Sequence, residues 1–495
     1  MYWGTLLHFY QPYGQKREII DAIVAQCYRP VVEDILSHQG ARISVNFTGV
    51  LLDQLDAYGH RDIIDLYAEA AKLGRIEFVG SGKYHAILPL LPPSEAERQI
   101  ELNTETGRKY FGDAFAPRGI FLPEMAWSPE LTPILERAGF EWVMLDELAY
   151  NGRPGQVDYT RKYQIRDSKL FVMFREHRLS AAIMNVVPRE LGGLKEAARE
   201  ELGAKRYIVT GMDGETFGHH RVGHTRILAA MYDDPGIQLV RMSEILTKFD
   251  DTEVVETLAC TWASSQDDIE KGIQFISWDD PTNNIHKLQW ELLRLTVKEM
   301  NGLSRRNPIY ARLRAQLDSA VSSDQFFWAA ARPWWMVEYI ERGAHDLLQV
   351  LTELPNSTPK IAAQGLAMYQ QIMATAWEWQ RTGKIDTIHE DRAKRVRIPF
   401  KEATLVKGDT ATWAAFMELL EAEELSASSR RDYEEARLWR DAIYKLEHKL
   451  DIYDLHYVLD ILHHKLPKGA VEDAIARHRA EFDKIRGGQV EQRSN

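Results

Sequence analysis

Over about the first 290 residues, short apolar runs alternate with amphipathic stretches, and few folds accept that alternation. The runs Gly4–Leu7, Ile43–Phe47, Ile76–Val79, Gly119–Leu122, Trp142–Leu145, Phe171–Phe174, Tyr207–Thr210 and Gln238–Val240 read as strands. Asp21 to Leu36 places apolar residues at helical spacing. Ser94-Glu95-Ala96-Glu97 has the form of a capping box opening a helix towards Phe111. Ser128-Pro129-Glu130 is a second helix start, and Glu190 to Leu202 a third helix. Strands alternating with helices give a parallel sheet, and seven or eight such units suit a closed or nearly closed barrel. No Gly-x-Gly-x-x-Gly follows the first strand, which argues against a dinucleotide-binding sheet.

From about Asn283 onward the pattern turns helical, as in Trp290–Leu295, Ala363–Trp379, Ala411–Ala422 and Asp432–Leu450. Thr382 to Thr410 is the least regular stretch and reads as a linker or protrusion. Three parts are expected: a barrel over 1–290, a helical domain over 291–485 that contributes to the site rim, and a disordered tail over 486–495. The aromatic segment Phe326-Phe327-Trp328 with Arg332-Pro333-Trp334-Trp335 either shapes that rim or packs the helical domain onto the barrel.

Composition removes several classes of function. A net charge of −12 disfavours nucleic-acid phosphates and anionic membranes as partners. Cys27 and Cys260 are too few for a disulfide framework or a thiolate zinc site. No apolar stretch approaches the ~20 residues of a membrane helix. No basic segment followed by an apolar one opens the chain, so a cytoplasmic enzyme without a cofactor is expected. The supply of 13 Trp and 20 Tyr suits stacking on sugar rings, although packing uses the same side chains.

The chemistry gathers at the ends of the expected strands, where parallel barrels carry their sites. The first ends in His8-Phe9-Tyr10-Gln11-Pro12, and the third carries Glu77. The fourth ends in Phe121-Leu122-Pro123-Glu124, the fifth in Asp146 and Glu147, the sixth in Arg175, the seventh in Asp213-Gly214-Glu215. Each has an ordinary explanation: a structural histidine, a Glu77 paired with a core arginine, an Asp146 capping a helix. Together they bring ionisable groups to one rim, and desolvating so many without a use costs several kcal/mol.

These motifs, in this order, resemble the retaining α-glucan-active enzymes of glycoside hydrolase family 57. The resemblance covers roughly residues 5 to 290. It rests on His8–Pro12, Gly74–Val79, Phe121–Glu124, Asp213–Glu215 and Trp278-Asp279-Asp280-Pro281. Tyr10 stands where members often have a second histidine, Phe121 where they often have tryptophan, and Gly218-His219-His220 departs from the best-known amylases and branching enzymes. The resemblance implies an incomplete (β/α)7 barrel followed by a mostly α-helical domain. It implies double displacement, with Glu124 as nucleophile and Asp213 as acid and then base. Such a pair stands ~5–5.5 Å apart. Burial and the Glu124 charge are expected to raise the Asp213 pKa. His8, Gln11, Glu77, Glu215, His220 and Asp279 are the candidate hydroxyl ligands, and Trp127, Trp262 and Trp278 the candidate stacking rings. Hydrolysis, α-1,6 cleavage, branching and 4-α-glucanotransfer all use the same two carboxylates.

Two other readings remain open on the sequence. A metal-dependent carbohydrate deacetylase would read Asp213 with His219 and His220, or with His8, as ligands, preferably for zinc. A non-catalytic glucan-binding protein would leave the carboxylates incidental.

Overall fold

The computed structural model describes residues 1–186, 188, 190–332, 334–388, 410–448, 452–467 and 469–491. All of the apolar runs named above become strands: β1 (Tyr2–Phe9), β2 (Ile43–Phe47), β3 (Ile76–Val79), β4 (Gly119–Phe121), β5 (Trp142–Asp146), β7 (Phe171–Arg175), β8 (Tyr207–Asp213) and β9 (Gln238–Val240). Two more were not expected, β6 (Lys162–Ile165) and β10 (Thr252–Val255). They pair with each other, β6 adds antiparallel to β7, and both place partly or fully exposed residues between more covered ones. A strand on the flank of a sheet lacks the continuous apolar run of a central one.

The central strands are buried on both faces, as a parallel sheet under helices requires. One edge of β1 pairs along its length with β8. The other is shared, β9 taking Tyr2–Gly4 and β2 taking Leu6–Phe9. β2 continues to β3, and a parallel bridge from Gly80 to Ile120 carries the sheet on to β4, β5 and β7. The Glu176 N–H then donates to the Val209 carbonyl at 2.7 Å, bringing β7 back to β8. This is the incomplete (β/α)7 barrel expected, with helices following it.

The helical expectations need adjustment in places. Ser94 lies in the first turn of helix Pro93–Phe111, whose cap is Pro92, and it makes no capping bond there. The helix expected over Asp21–Leu36 is interrupted by a π-turn at Val24–Tyr28, and the one over Glu190–Leu202 shrinks to Leu191–Ala197. Helix Ala470–Glu491 runs through the first part of the stretch expected to be disordered, while 492–495 and most of Thr382–Thr410 lie outside the described residues.

The chain forms two compact units. The first comprises Met1–Gly214 and Ile227–Arg392, so the helices Asn284–Asn301 through Pro359–Thr382 group with the strands across residue 290. The second comprises Glu215–Arg226 and Ala393–Asn495. Its core gathers Phe416, Leu420, Trp439, Leu446, Ile461 and Leu462, with Val222 packed against them. Arg221 is tied there to Asp460 by a buried ion pair of 2.8 Å. Among the described residues, no helix is long and apolar enough to cross a membrane.

Candidate active site

Pro123 ends β4, and the chain turns sharply: Glu124 adopts φ 57° and Met125 φ 48°, both left-handed and neither glycine. Beyond the turn, Trp127 and Cys260 exchange backbone hydrogen bonds of 2.8 and 3.1 Å, so residues near 260 run antiparallel beside the turn. The Trp127 indole, donating to Thr257 Oγ1 at 3.0 Å, pins that segment. Trp262 is thereby laid over Glu124. Its backbone N–H donates to the Glu124 carbonyl at 3.2 Å, and its indole N–H to Glu124 Oε2 at 2.7 Å.

Asp213 closes β8, with Cα in register with His8 of β1. The next residue must be small, because a Cβ on Gly214 would sit 1.9 Å from the Phe9 ring. Arg175, at the end of β7, donates to the Gly211 carbonyl at 2.7 Å and to Asp146 at 2.9 Å, with its guanidinium 5.8 Å from the Trp262 ring centre. Asp146, the last residue of β5, also takes the Leu148 N–H and faces His177.

The electrostatics bind the two carboxylates together. Burial first, then the charge of Asp213, push Glu124 up to about 8, with Asp324 adding to the rise and the Trp262 N–H opposing it. Burial pushes Asp213 up to about 6, tempered by Arg175. The rise expected for Asp213 is present and comes from burial, while the mutual repulsion is felt at Glu124. Between those two values the pair binds one proton and carries one negative charge.

The other expected residues divide. His8 lies beside the pair: its ring stacks on Phe121 at 4.6 Å, and both its nitrogens are engaged, with Asn46 at 2.6 Å and His85 at 3.1 Å. Gln11 follows β1, buried, with the Gln15 amide at 3.3 Å. Glu77 sits near the opposite end of the barrel, held by the Ser44 hydroxyl at 2.6 Å and the Ser243 N–H at 3.0 Å. That separates it from the pair. Trp127 and Trp278 are fully buried core residues with no face for a sugar, Trp278 stacking on Phe327 at 5.9 Å. Asp279 is half-buried near Arg294 and Asp280, with burial raising its pKa. Glu215 and His220 fall in the second unit, where the His220 N–H donates to the Glu215 carbonyl at 2.8 Å. Among the described residues, no group of three or more His, Cys, Asp or Glu is placed to hold a metal ion.

Residues not singled out for the site complete it. His85, in the loop after β3, stacks face to face on Tyr10 at 3.8 Å and shares a hydrogen bond of 3.0 Å with the Ser323 hydroxyl. Asp324 accepts short hydrogen bonds from Tyr10 and Ser322. Ser322 to Asp324 come from the helical stretch after the barrel, immediately before the aromatic segment. Asn46, the one amide among the residues of the otherwise mostly apolar run Ile43–Phe47, carried a signal in the sequence; Asp324 had none.

A family model described as Glycosyl hydrolase family 57 matches residues 5–258. The chain belongs to this family. Within family 57, the chain is 30% identical over 256 residues to an α-amylase of Pyrococcus horikoshii, a match covering 49% of this chain and 40% of that protein. It is 31% identical over 141 residues to a 4-α-glucanotransferase of Thermococcus litoralis, covering 28% of this chain and 21% of that protein. The chain thus matches well under half the length of these relatives. The crystal structure of the 4-α-glucanotransferase from Thermococcus litoralis superposes with a TM-score of 0.57 at 19% identity, covering 71% of this chain and 59% of that one. That of a family 57 branching enzyme from Pyrococcus horikoshii gives 0.54 at 18%, covering 76% and 96%. Both likenesses concern the fold.

Proposed function

We propose that the chain is a retaining glycoside hydrolase or glycosyl-transferring enzyme that acts on the α-1,4 or α-1,6 links of α-glucans by double displacement. One observation carries this reading. Two carboxylates, from the ends of β4 and β8, are close enough for the charge of one to raise the pKa of the other, and an indole N–H is committed to one of them. Family membership, and relatives named as amylase and 4-α-glucanotransferase, support the substrate class.

Glu124 attacks the anomeric carbon as the glycosidic C–O bond breaks, and Asp213 passes its proton to the leaving oxygen. Oε2 is held by Trp262, which leaves Oε1 to attack. The first step needs Glu124 charged and Asp213 protonated, the reverse of the order in which burial and like charge leave the pair. The Trp262 indole N–H favours the charged form of Glu124 and draws the pair towards the order the step needs. In the second step a water or sugar hydroxyl gives its proton to Asp213 and displaces Glu124 from the same carbon. Water yields hydrolysis, and a sugar yields transfer.

Proton NMR of the first product from a maltooligosaccharide tests the stereochemistry, with the α-anomer expected first. In Glu124→Gly, turnover is lost and added azide enters from the vacated side, giving a β-glycosyl azide. An active Glu124→Gly enzyme, or a β-anomer released first by the parent, overturns the mechanism.

A further inference from the structure

Four elements of the barrel unit are joined by one line of hydrogen bonds: Asn46 Oδ1 to His8 Nδ1 at 2.6 Å, His8 Nε2 to His85 Nε2 at 3.1 Å, and His85 Nδ1 to Ser323 Oγ at 3.0 Å. Its direction follows from its first member. The Asn46 amide nitrogen lies 2.8 Å from the Val79 carbonyl and 2.9 Å from that of Gly80, so both its protons are spent there and its oxygen must face His8. An oxygen without a proton obliges His8 Nδ1 to donate. In a neutral ring His8 Nε2 is then bare and accepts from His85 Nε2–H, and His85 Nδ1 is bare and accepts from the Ser323 hydroxyl. The other complete arrangement needs an imidazolium at His8. Both rings are buried, and burial pushes His8 down to about 4 and His85 well below its ordinary value.

We propose that Asn46 is a positioning residue that acts through His8: it locks His8 and His85 in opposite neutral tautomers, Nδ1–H in the first and Nε2–H in the second. The lock has two effects on the carboxylate pair. His8, in register with Asp213 and stacked on Phe121, brings no positive charge to compete for the shared proton. It also keeps no free ring nitrogen, so a sugar meets the carbon edge or face of its ring rather than a hydrogen-bonding atom. The line ends on Ser323, next to Asp324, whose carboxylate receives Tyr10.

The test is long-range proton–nitrogen NMR on the full-length chain labelled with nitrogen-15 histidine, with His8 and His85 assigned by the signals lost in His8→Gln and His85→Gln. At pH 7 the parent is expected to show His8 as Nδ1–H and His85 as Nε2–H. Ser323→Ala is expected to leave the His8 tautomer unchanged, because control lies at the other end. Asn46→Asp replaces the amide by a carboxylate that favours the imidazolium. His8 is then expected to titrate between pH 5 and 8, with kcat falling about 10-fold or more, as a misplaced histidine proton does in a catalytic triad. The same tautomer in both rings, a charged His8 in the parent, or a His8 tautomer that flips in Ser323→Ala overturns the proposal. If Asn46→Asp does not fold, the parent and Ser323→Ala spectra still decide. The assignment is independent of the glycosidase reading, on which only the kcat effect rests. The expected tautomers in a chain without glucan activity would therefore fault that reading and leave this one standing.

Discussion

The two ends of the barrel hold carboxylates in opposite ways. Near the amino end of β3, Glu77 accepts a serine hydroxyl and a backbone N–H, and the Ser44 that serves it also takes the Met242 N–H. Near the carboxyl ends, Glu124 has one indole donor, a left-handed backbone and a second carboxylate close enough to raise its pKa. Glu77 is a carboxylate the fold has satisfied. Glu124 is one that the fold keeps short of donors and crowded by like charge, at a cost recovered only when a proton or a substrate arrives. A buried acid is therefore not informative until its donors are counted.

That contrast can be broken by substitution. The largest effect is expected at the carboxyl end, where Glu124→Gln should lower kcat by ~10⁴-fold or more, measured on maltooligosaccharides with folding checked by circular dichroism. Asp213→Asn should lose about 10²- to 10⁴-fold, the usual contribution of a general acid. Its loss should shrink on aryl glycosides whose leaving group needs no proton. Trp262→Phe removes a hydrogen bond to a charged group, worth about 1.5–3 kcal/mol, so kcat/KM should fall roughly 10- to 100-fold. The indole favours ionised Glu124, so its loss raises the pKa of that group and moves the upper limit of the pH profile, which lies at about 8 in the parent, further upward. In the parent, that profile should be a bell. Activity falls below about 6 as the pair takes a second proton, and above about 8 as it loses its only one. The smallest kinetic effect is expected at the amino end. Glu77→Ala should leave kcat nearly unchanged and lower stability by about 1–3 kcal/mol, seen by chemical denaturation, because it strands two donors. A large kcat loss in that variant would erase the distinction between the two ends.

The same contrast explains what could be read before the fold was known. The central strands announced themselves because strands buried on both faces need unbroken apolar runs, as in Tyr207–Thr210. β6 and β10 escaped notice because Lys162-Tyr163-Gln164-Ile165 and Thr252-Glu253-Val254-Val255 interrupt their apolar residues with polar ones at partly or fully exposed positions on the flank. Glu124 and Asp213 were legible as polar residues ending apolar strands. Glu77 looked equivalent because its distinguishing donors, Ser44 and Ser243, are 33 and 166 residues away. The tryptophans fail for the same reason. Trp127, Trp262 and Trp278 look alike in the sequence, and only the pairing of residues 127 and 260 decides that Trp262 is the one facing a carboxylate. Asp324 belongs with them, since its tie to Tyr10 spans 314 residues.

The ion pair between Arg221 and Asp460 joins residues 239 positions apart, and it fastens the segment that begins two residues after Asp213. On a ribosome adding about 5–20 residues per second, Asp460 emerges roughly 10–50 s after Arg221. The barrel strands can be complete by then, but the stretch leaving β8 must wait for helix Ile452–Lys465 before Arg221 finds Asp460. The segment after β8 is therefore settled late relative to the strand it leaves, and synthesis of the helix that carries Asp460 sets when Arg221 is fastened.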